Sequence, residues 1–268
     1  MYLDNKRGSD DIKKLDLDGC FDFPKSVSLI KWLLSFTHKN DLIMDFFAGS
    51  GTVAQAVMEK NLEDCGNRKF ILVQFPEDLD ANLAKADGQS KETIKRAIKF
   101  CDSINVKHLL SEVSKERIRR AGKKIKEESP NIDVGFRALK LDESCMKEVY
   151  YLPEEMGQTR LAELEDNIKE DRTPEVLLFQ VMLDIGIMLS SDIKTLDIYG
   201  KKVFNVNDSD LVCCFDDNLE ENVIKEIAKM KPRYAVFRDS SMSSDSLNVN
   251  FDQIFKTYSP TTEKIKVL

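Results

Sequence analysis

The residues best suited to chemistry stand together at 45–52, Asp-Phe-Phe-Ala-Gly-Ser-Gly-Thr. Gly49 and Gly51 sit where an apolar run, DLIMDFF, gives way to the helix-forming TVAQAV. Glycine is needed in such a turn because, without a Cβ, its backbone can bend tightly and approach a ligand closely. The carboxyl end of a buried strand, leading into a helix N-terminus, is also where open α/β sheets bind ligands. The loop has no lysine followed by serine or threonine, as a phosphate-binding loop requires, and no third spaced glycine of the dinucleotide kind. An adenosyl cofactor with an amino-acid tail suits it better, Asp45 facing the tail's ammonium and the loop amides its carboxylate. Capping of the loop's own backbone is an equal alternative role for Asp45.

The elements that must position this loop are legible around it. PKSVSLIKWLLSF (24–36) sets Val27, Leu29, Ile30, Leu33 and Leu34 on one helical face, with Pro24 in the first turn. DLIMDFF reads as a short strand buried on both faces, as parallel sheets require. A helix is expected from Thr52, where Thr52 and Gln55 match a capping box. KFILVQF (69–75) is the next strand, so strand, turn, helix and strand form a parallel βαβ unit. Residues 91–128 look helical with a break at 102–106, and 134–141 look like a further strand. Later come a helix opening at Thr173-Pro174, a hairpin at Tyr199-Gly200, and a second βαβ-like unit from LVCCF to YAVFRDS.

Composition excludes several classes. The 268 residues carry a formal net charge of −7, so the chain as a whole is no polycation, and any contact with nucleic acid must be local. Six cysteines form no Cys-x-x-Cys pair and only two histidines accompany them, which points to reduced thiols and away from a metal site. No apolar run is long enough to span a membrane and no signal-peptide pattern opens the chain, so a cytoplasmic protein is expected.

DFFAGSGT resembles the S-adenosylmethionine loop of amino-methyltransferases that act on DNA. FDFPKSVSLIKWLL before it resembles the motif X helix of their circularly permuted β group. GNRKFILVQFPED, ERIRRAGKKIKEE and FRDSSM are similar to stretches in the carboxyl-terminal half of the methylating (Mod) subunits of type III restriction-modification systems. The resemblance implies an α/β fold: a partial, Rossmann-like methyltransferase sheet followed by a small α+β carboxyl-terminal domain. It implies S-adenosyl-L-methionine as cofactor, held by Asp45, Phe46, Phe47, Ala48, Gly49, Ser50, Gly51 and Thr52. Lys25 would lie near the methionine moiety and Gln74 at the ribose hydroxyls. Two departures stand out: relatives usually carry an acid where this chain has Gln74, with Glu77 three residues on, and often a proline at Ser26.

The acceptor loop of such enzymes, Asp-Pro-Pro-Tyr, stacks an aromatic on a flipped-out adenine. No two prolines are adjacent here, so that motif is absent and no catalytic residue is assigned. The expected organisation is a loose segment at 1–22, a partial methyltransferase domain at 23–152, a linker at 153–172 and an α+β domain at 173–268. On this reading the chain is a truncated carboxyl-terminal portion of an adenine-N6 methyltransferase, inactive alone and prone to self-association. The alternative is a non-catalytic assembly or scaffold module. Arg117, Arg119, Arg120, Lys123 and Lys124, with Lys126, are candidates for DNA-phosphate contact, a solvated helix face being the plainer role. The implied partners are DNA, the missing amino-terminal half, a second Mod subunit and the restriction (Res) subunit.

Overall fold

The computed structural model describes residues 6–147, 168–241 and 245–267, and the chain divides into two compact units, Met1–Ala138 and Leu139–Leu268. The division falls within the range expected for the first domain. The expected linker, 153–172, lies mostly outside the described residues.

In the first unit β1 (Leu42–Asp45) pairs in parallel with β2 (Lys69–Leu72), Met44 opposite Ile71 and Asp45 opposite Leu72. The pairing runs on beyond the strands, since Val73 N donates to Asp45 O and Ala48 N to Val73 O. Helix α3 (Thr52–Asp64) makes the crossover. Around it pack α1 (Lys6–Lys13), α2 (Val27–Leu34), α4 (Leu79–Leu83), α5 (Gly88–Ser103) and α6 (Leu110–Glu128). The core joins Ala54 and Met58 of α3 to Ala97 and Cys101 of α5 and to Val113, Ile118, Ala121 and Ile125 of α6. The expected break between two long helices is therefore present.

Three local expectations need correction. Residues 6–22 of the segment expected to be loose are ordered: α1 forms, and Ile12, Leu15, Leu17 and Cys20 bury themselves in that core. Its polar residues hid a well-spaced apolar set. Helix α2 begins at Val27, not at Pro24, and its cap comes from afar, Asp11 Oδ2 accepting Val27 N at 3.0 Å. Residues 134–141 form no strand; Val134 instead packs over Gly122, whose missing side chain admits it.

One face of the β1–β2 pair is bare. Ile43, Phe70 and Leu72 turn towards the helices, whereas Leu42, Met44, Ile71, Val73 and Phe75 are exposed. Trp32 is exposed on α2, with its ring edge-on to Phe36 at 5.1 Å.

In the second unit a five-stranded sheet runs in the order β3 (Ile193–Ile198), β4 (Lys201–Val206), β5 (Leu211–Cys214), β6 (Tyr234–Arg238), β7 (Glu263–Val267). The first two junctions are antiparallel and the last two parallel. Helix α7 (Pro174–Asp184) packs with Leu211 and Cys213 on one face. Helices α8 (Glu221–Lys229) and α9 (Asp245–Tyr258) pack with Val212 and Cys214 on the other. Residues 211–215 lie between two helical layers and are all buried, which explains an uninterrupted apolar run. Thr173 caps α7 by accepting Val176 N, with Pro174 at the first helical position.

Candidate functional site

The glycine turn follows from its backbone angles. Gly49 has φ +51° and Gly51 φ +75°, a region that side chains with a Cβ rarely enter. A Cβ on Gly51 would also stand 3.2 Å from Ile118 Cγ1. Gly51 is the N-cap of α3, and it has no side chain with which to cap.

The expected capping box does not form, because a buried cation claims both of its residues. Arg117, on α6, is fully buried. Its Nη1 lies 2.6 Å from Thr52 Oγ1, 2.8 Å from Ser50 Oγ and 3.1 Å from Ser50 O, while Nη2 donates to Gln55 Oε1 at 2.9 Å. Burial lowers the Arg117 pKa to about 10, and Asp11 and Glu59 act against that fall. Thr52 Oγ1 in turn donates to Lys25 O at 3.3 Å, tying the entry of α2 to the loop. Arg117 is thus a rivet behind the loop. Enclosed as it is, it does not reach DNA phosphate, and its assignment to the basic patch is withdrawn.

Further ties hold the loop from other sides. Gln74 Oε1 accepts Gly49 N at 2.7 Å, and Gln74 Nε2 donates to Phe75 O. Ser114 Oγ, from α6, donates to Gly49 O. Asp45 Oδ1 accepts Phe47 N at 3.0 Å, the backbone-capping role open to it from the outset. Phe46 and Phe47 are exposed and Ala48 is buried.

Gly49 and Ser50 open onto a cleft of about 450 Å³, within the ~300–1,000 Å³ usual for small-molecule sites. Its other walls are the segment Cys20–Pro24, Glu77 beyond β2, Leu79, Asn82 and Lys85 around α4, and Thr93, Ile94 and Ala97 of α5. Of the residues expected to hold a cofactor, only Gly49 and Ser50 line this cleft. Lys25, Asp45, Phe46, Phe47, Ala48, Gly51, Thr52 and Gln74 surround or brace the loop. Asn82 carries no motif of its own, whereas residues 21–24 and Glu77 stand at the edges of FDFPKSVSLIKWLL and GNRKFILVQFPED without having been singled out as cleft residues. The signal for Glu77 was its place after the second strand, just before Asp78, which caps α4 by accepting Asp80 N and Ala81 N. Burial pushes the Cys20 thiol up to about 11, so this wall carries no thiolate nucleophile near neutral pH.

Residues 3–77 match the DNA methylase family model, which spans the glycine loop and the cleft wall from Cys20 to Glu77. That match covers 75 of the 268 residues. It is 37% identical over 137 residues to the Mod subunit of the type III restriction-modification enzyme StyLTI of Salmonella typhimurium, covering 50% of this chain and 18% of that protein. It is 29% identical over 182 residues to the EcoPI Mod subunit of Escherichia phage P1, covering 67% and 25% respectively. With the EcoP15I Mod subunit of Escherichia coli the identity is 26% over 213 residues, covering 75% and 28%. The match therefore spans 18–28% of the length of these relatives.

Beyond the matched residues, the basic residues of α6 divide. Arg120 donates to Leu15 O and Asp16 O, pairs with Glu116 and lies 5.0 Å over the Phe100 ring. Lys124 donates to Lys14 O. Arg119 and Lys123 are exposed, Arg119 loosely paired with Glu116 at 3.6 Å. No helix among the described residues is long and apolar enough to cross a membrane.

Proposed function

We propose that the first unit binds S-adenosyl-L-methionine as part of a sequence-specific DNA adenine-N6 methyltransferase of a type III restriction-modification system. The observation that carries this reading is the glycine loop, braced by Arg117, Gln74 and Ser114, which opens through Gly49 and Ser50 onto the 450 Å³ cleft. When bound, the cofactor supplies an electrophilic methyl group. The chain's own residues supply a preformed backbone curve, an apolar wall from Leu79, Ile94 and Ala97, and a carboxylate at Glu77. The sheet of the first unit is a partial Rossmann-like methyltransferase sheet, and the second unit is a small carboxyl-terminal assembly domain.

These 268 residues contain no Asp-Pro-Pro-Tyr loop, so the groups that hold the target amine come from other polypeptide, and this chain alone gives no turnover. The bare face bearing Met44, Ile71 and Val73 is where that polypeptide packs. Arg119 and Lys123 remain as phosphate contacts, with Arg120 and Lys124 beside them. The partners are DNA, a second Mod subunit and the restriction subunit, in the cytoplasm.

Calorimetric titration with S-adenosylmethionine tests this, using wild type and Gly49→Val. Wild type should bind, and the variant should lose at least about tenfold, because a β-branched residue is forced to φ +51°. A folded wild type that takes up no cofactor refutes the proposal. That result would instead favour a non-catalytic scaffold. One observation leans that way: the N–H groups of Phe47, Ala48 and Gly49 all donate to the protein's own acceptors, leaving none of them for a ligand carboxylate.

A further inference from the structure

The wall of the cleft is held by a group whose charge changes near neutral pH. Leu79 and Asn82 of α4 and Thr93, Ile94 and Ala97 of α5 line the cleft together. His108, in the link between α5 and α6, ties these two helices to one another. Its Nδ1 lies 2.9 Å from Asp80 Oδ2, on α4, and its Nε2 2.9 Å from Asp102 Oδ1, on α5. The backbone of the same link fixes the entry of α4, Leu79 N donating to His108 O at 2.9 Å and Leu110 N to Glu77 O at 3.0 Å. Helix α4 itself has five residues, too few for a helix to persist without ties to its surroundings.

Two carboxylates therefore meet one ring. An imidazolium donates from both nitrogens and serves both, whereas a neutral imidazole donates from one and turns a lone pair to the other carboxylate. Neighbouring charges at the entries of α4 and α6 are committed elsewhere: Asp78 caps α4, Glu77 accepts Asn82 Nδ2 at 3.2 Å, and Glu112 pairs with Lys115. Lys107, before His108 in the chain, is exposed. The bonds to Asp102, then Asp80, raise the His108 pKa above 6.5, so the ring changes charge within reach of neutral pH.

Resting on the cofactor-binding reading above, we propose that His108 is a pH-responsive clamp on the cleft. As imidazolium it holds α4 against α5 and keeps the cleft in its binding form. As neutral imidazole it releases one carboxylate, the short α4 loosens, and the cleft holds an adenosyl ligand less tightly. The linkage is reciprocal: a ligand that needs the clamped wall makes His108 harder to deprotonate.

The test measures adenosine binding to the full chain by calorimetry from pH 6 to pH 8, in wild type and in His108→Gln, which retains the other histidine, His38. Adenosine carries no group that titrates in this range. Hydrogen exchange of the α4 amides, without ligand and corrected for the intrinsic rate at each pH, reads the clamp directly. Wild-type affinity should fall about two- to fivefold as pH rises, the scale of an exposed ion pair. Protection of α4 should fall with it, and His108→Gln should stay flat in both measurements. Constant α4 protection in wild type, or the same pH slope in His108→Gln, overturns the clamp while cofactor binding stands. Folded wild type that takes up no adenosine at any pH overturns the binding reading, and α4 exchange then decides the clamp by itself.

Discussion

The guanidinium of Arg117 lies 2.6 Å from the hydroxyl of Thr52, so α6 grips the first residue of α3 from inside the protein. Both residues are buried and 65 positions apart in the chain. The loop's shape is therefore set by a tertiary contact and not by local capping. Burying a cation is costly unless its donors find acceptors; Ser50, Thr52 and Gln55 accept from the two Nη atoms, while Nε has no partner among the described residues.

Arg117→Ala should destabilise the first unit by about 3 kcal/mol or more, since it leaves buried acceptors unpaired as well as a cavity. Arg117→Lys should rescue little, because one ammonium cannot replace a planar fork that reaches Thr52 and Gln55 together. Urea denaturation of the three proteins measures this. A loss under about 1 kcal/mol for the alanine variant would show that the rivet is dispensable.

Gly51→Ala should cost about 1–3 kcal/mol, from a left-handed backbone at φ +75° and from crowding against Ile118. The companion change Gly88→Ala has a positive φ of +55° but open space around its Cβ, so it reports backbone strain alone. The difference between the two midpoints in thermal melts is the packing part. Equal midpoints would mean that α6 yields at no cost.

The uncovered face of β1 and β2 should make the chain associate with itself. Met44 is 50% and Val73 46% exposed, and with Leu42, Ile71 and Phe75 they form an apolar surface larger than isolated side chains. Sedimentation velocity should show concentration-dependent association, reversed in a Met44→Lys, Val73→Lys double variant that remains folded. Monodisperse wild-type monomer at the highest concentration would contradict the idea.

His108 joins two elements. Nδ1 lies 2.9 Å from Asp80 Oδ2, on α4, and Nε2 2.9 Å from Asp102 Oδ1, on α5. Only the imidazolium donates to both, and bonds to Asp102 first, then Asp80, raise the His108 pKa above 6.5. Because the folded pKa is the higher one, this contribution to stability is full below pH 6.5 and is lost as pH rises through the folded value. Melting temperatures should therefore fall between pH 6 and pH 8 in wild type and change less in His108→Gln. Parallel curves for the two proteins would exclude the link.

Much of the molecule could be read from local pattern. The strand–turn–helix–strand around DFFAGSGT, the hairpin at Tyr199-Gly200 and the buried strand Leu211–Cys214 all arise from short-range rules: apolar runs, glycine freedom and helix caps. Family resemblance likewise rested on contiguous residues. Where the reading failed, a partner distant in sequence had intervened. Thr52 and Gln55 look like a capping box until Arg117 is brought beside them. Residues 6–20 look loose because only α5 and α6 reveal which of their side chains are inward. Arg117 and Lys123 belong to one basic stretch, yet one is buried and the other exposed, and only the facing of α6 separates them.

The sequence by itself determined that a glycine loop follows a strand and opens a helix, because backbone sterics and apolar periodicity act over a few residues. It also carried the resemblance to DNA methylases. Only the tertiary structure decided which polar side chains brace that loop and which face the cleft. Gln74 and Glu77 differ by three positions and share similar chemistry. Hydrogen bonding to Gly49 draws one away from the cleft, and the backbone ties to Phe75 and Leu110 hold the other within it.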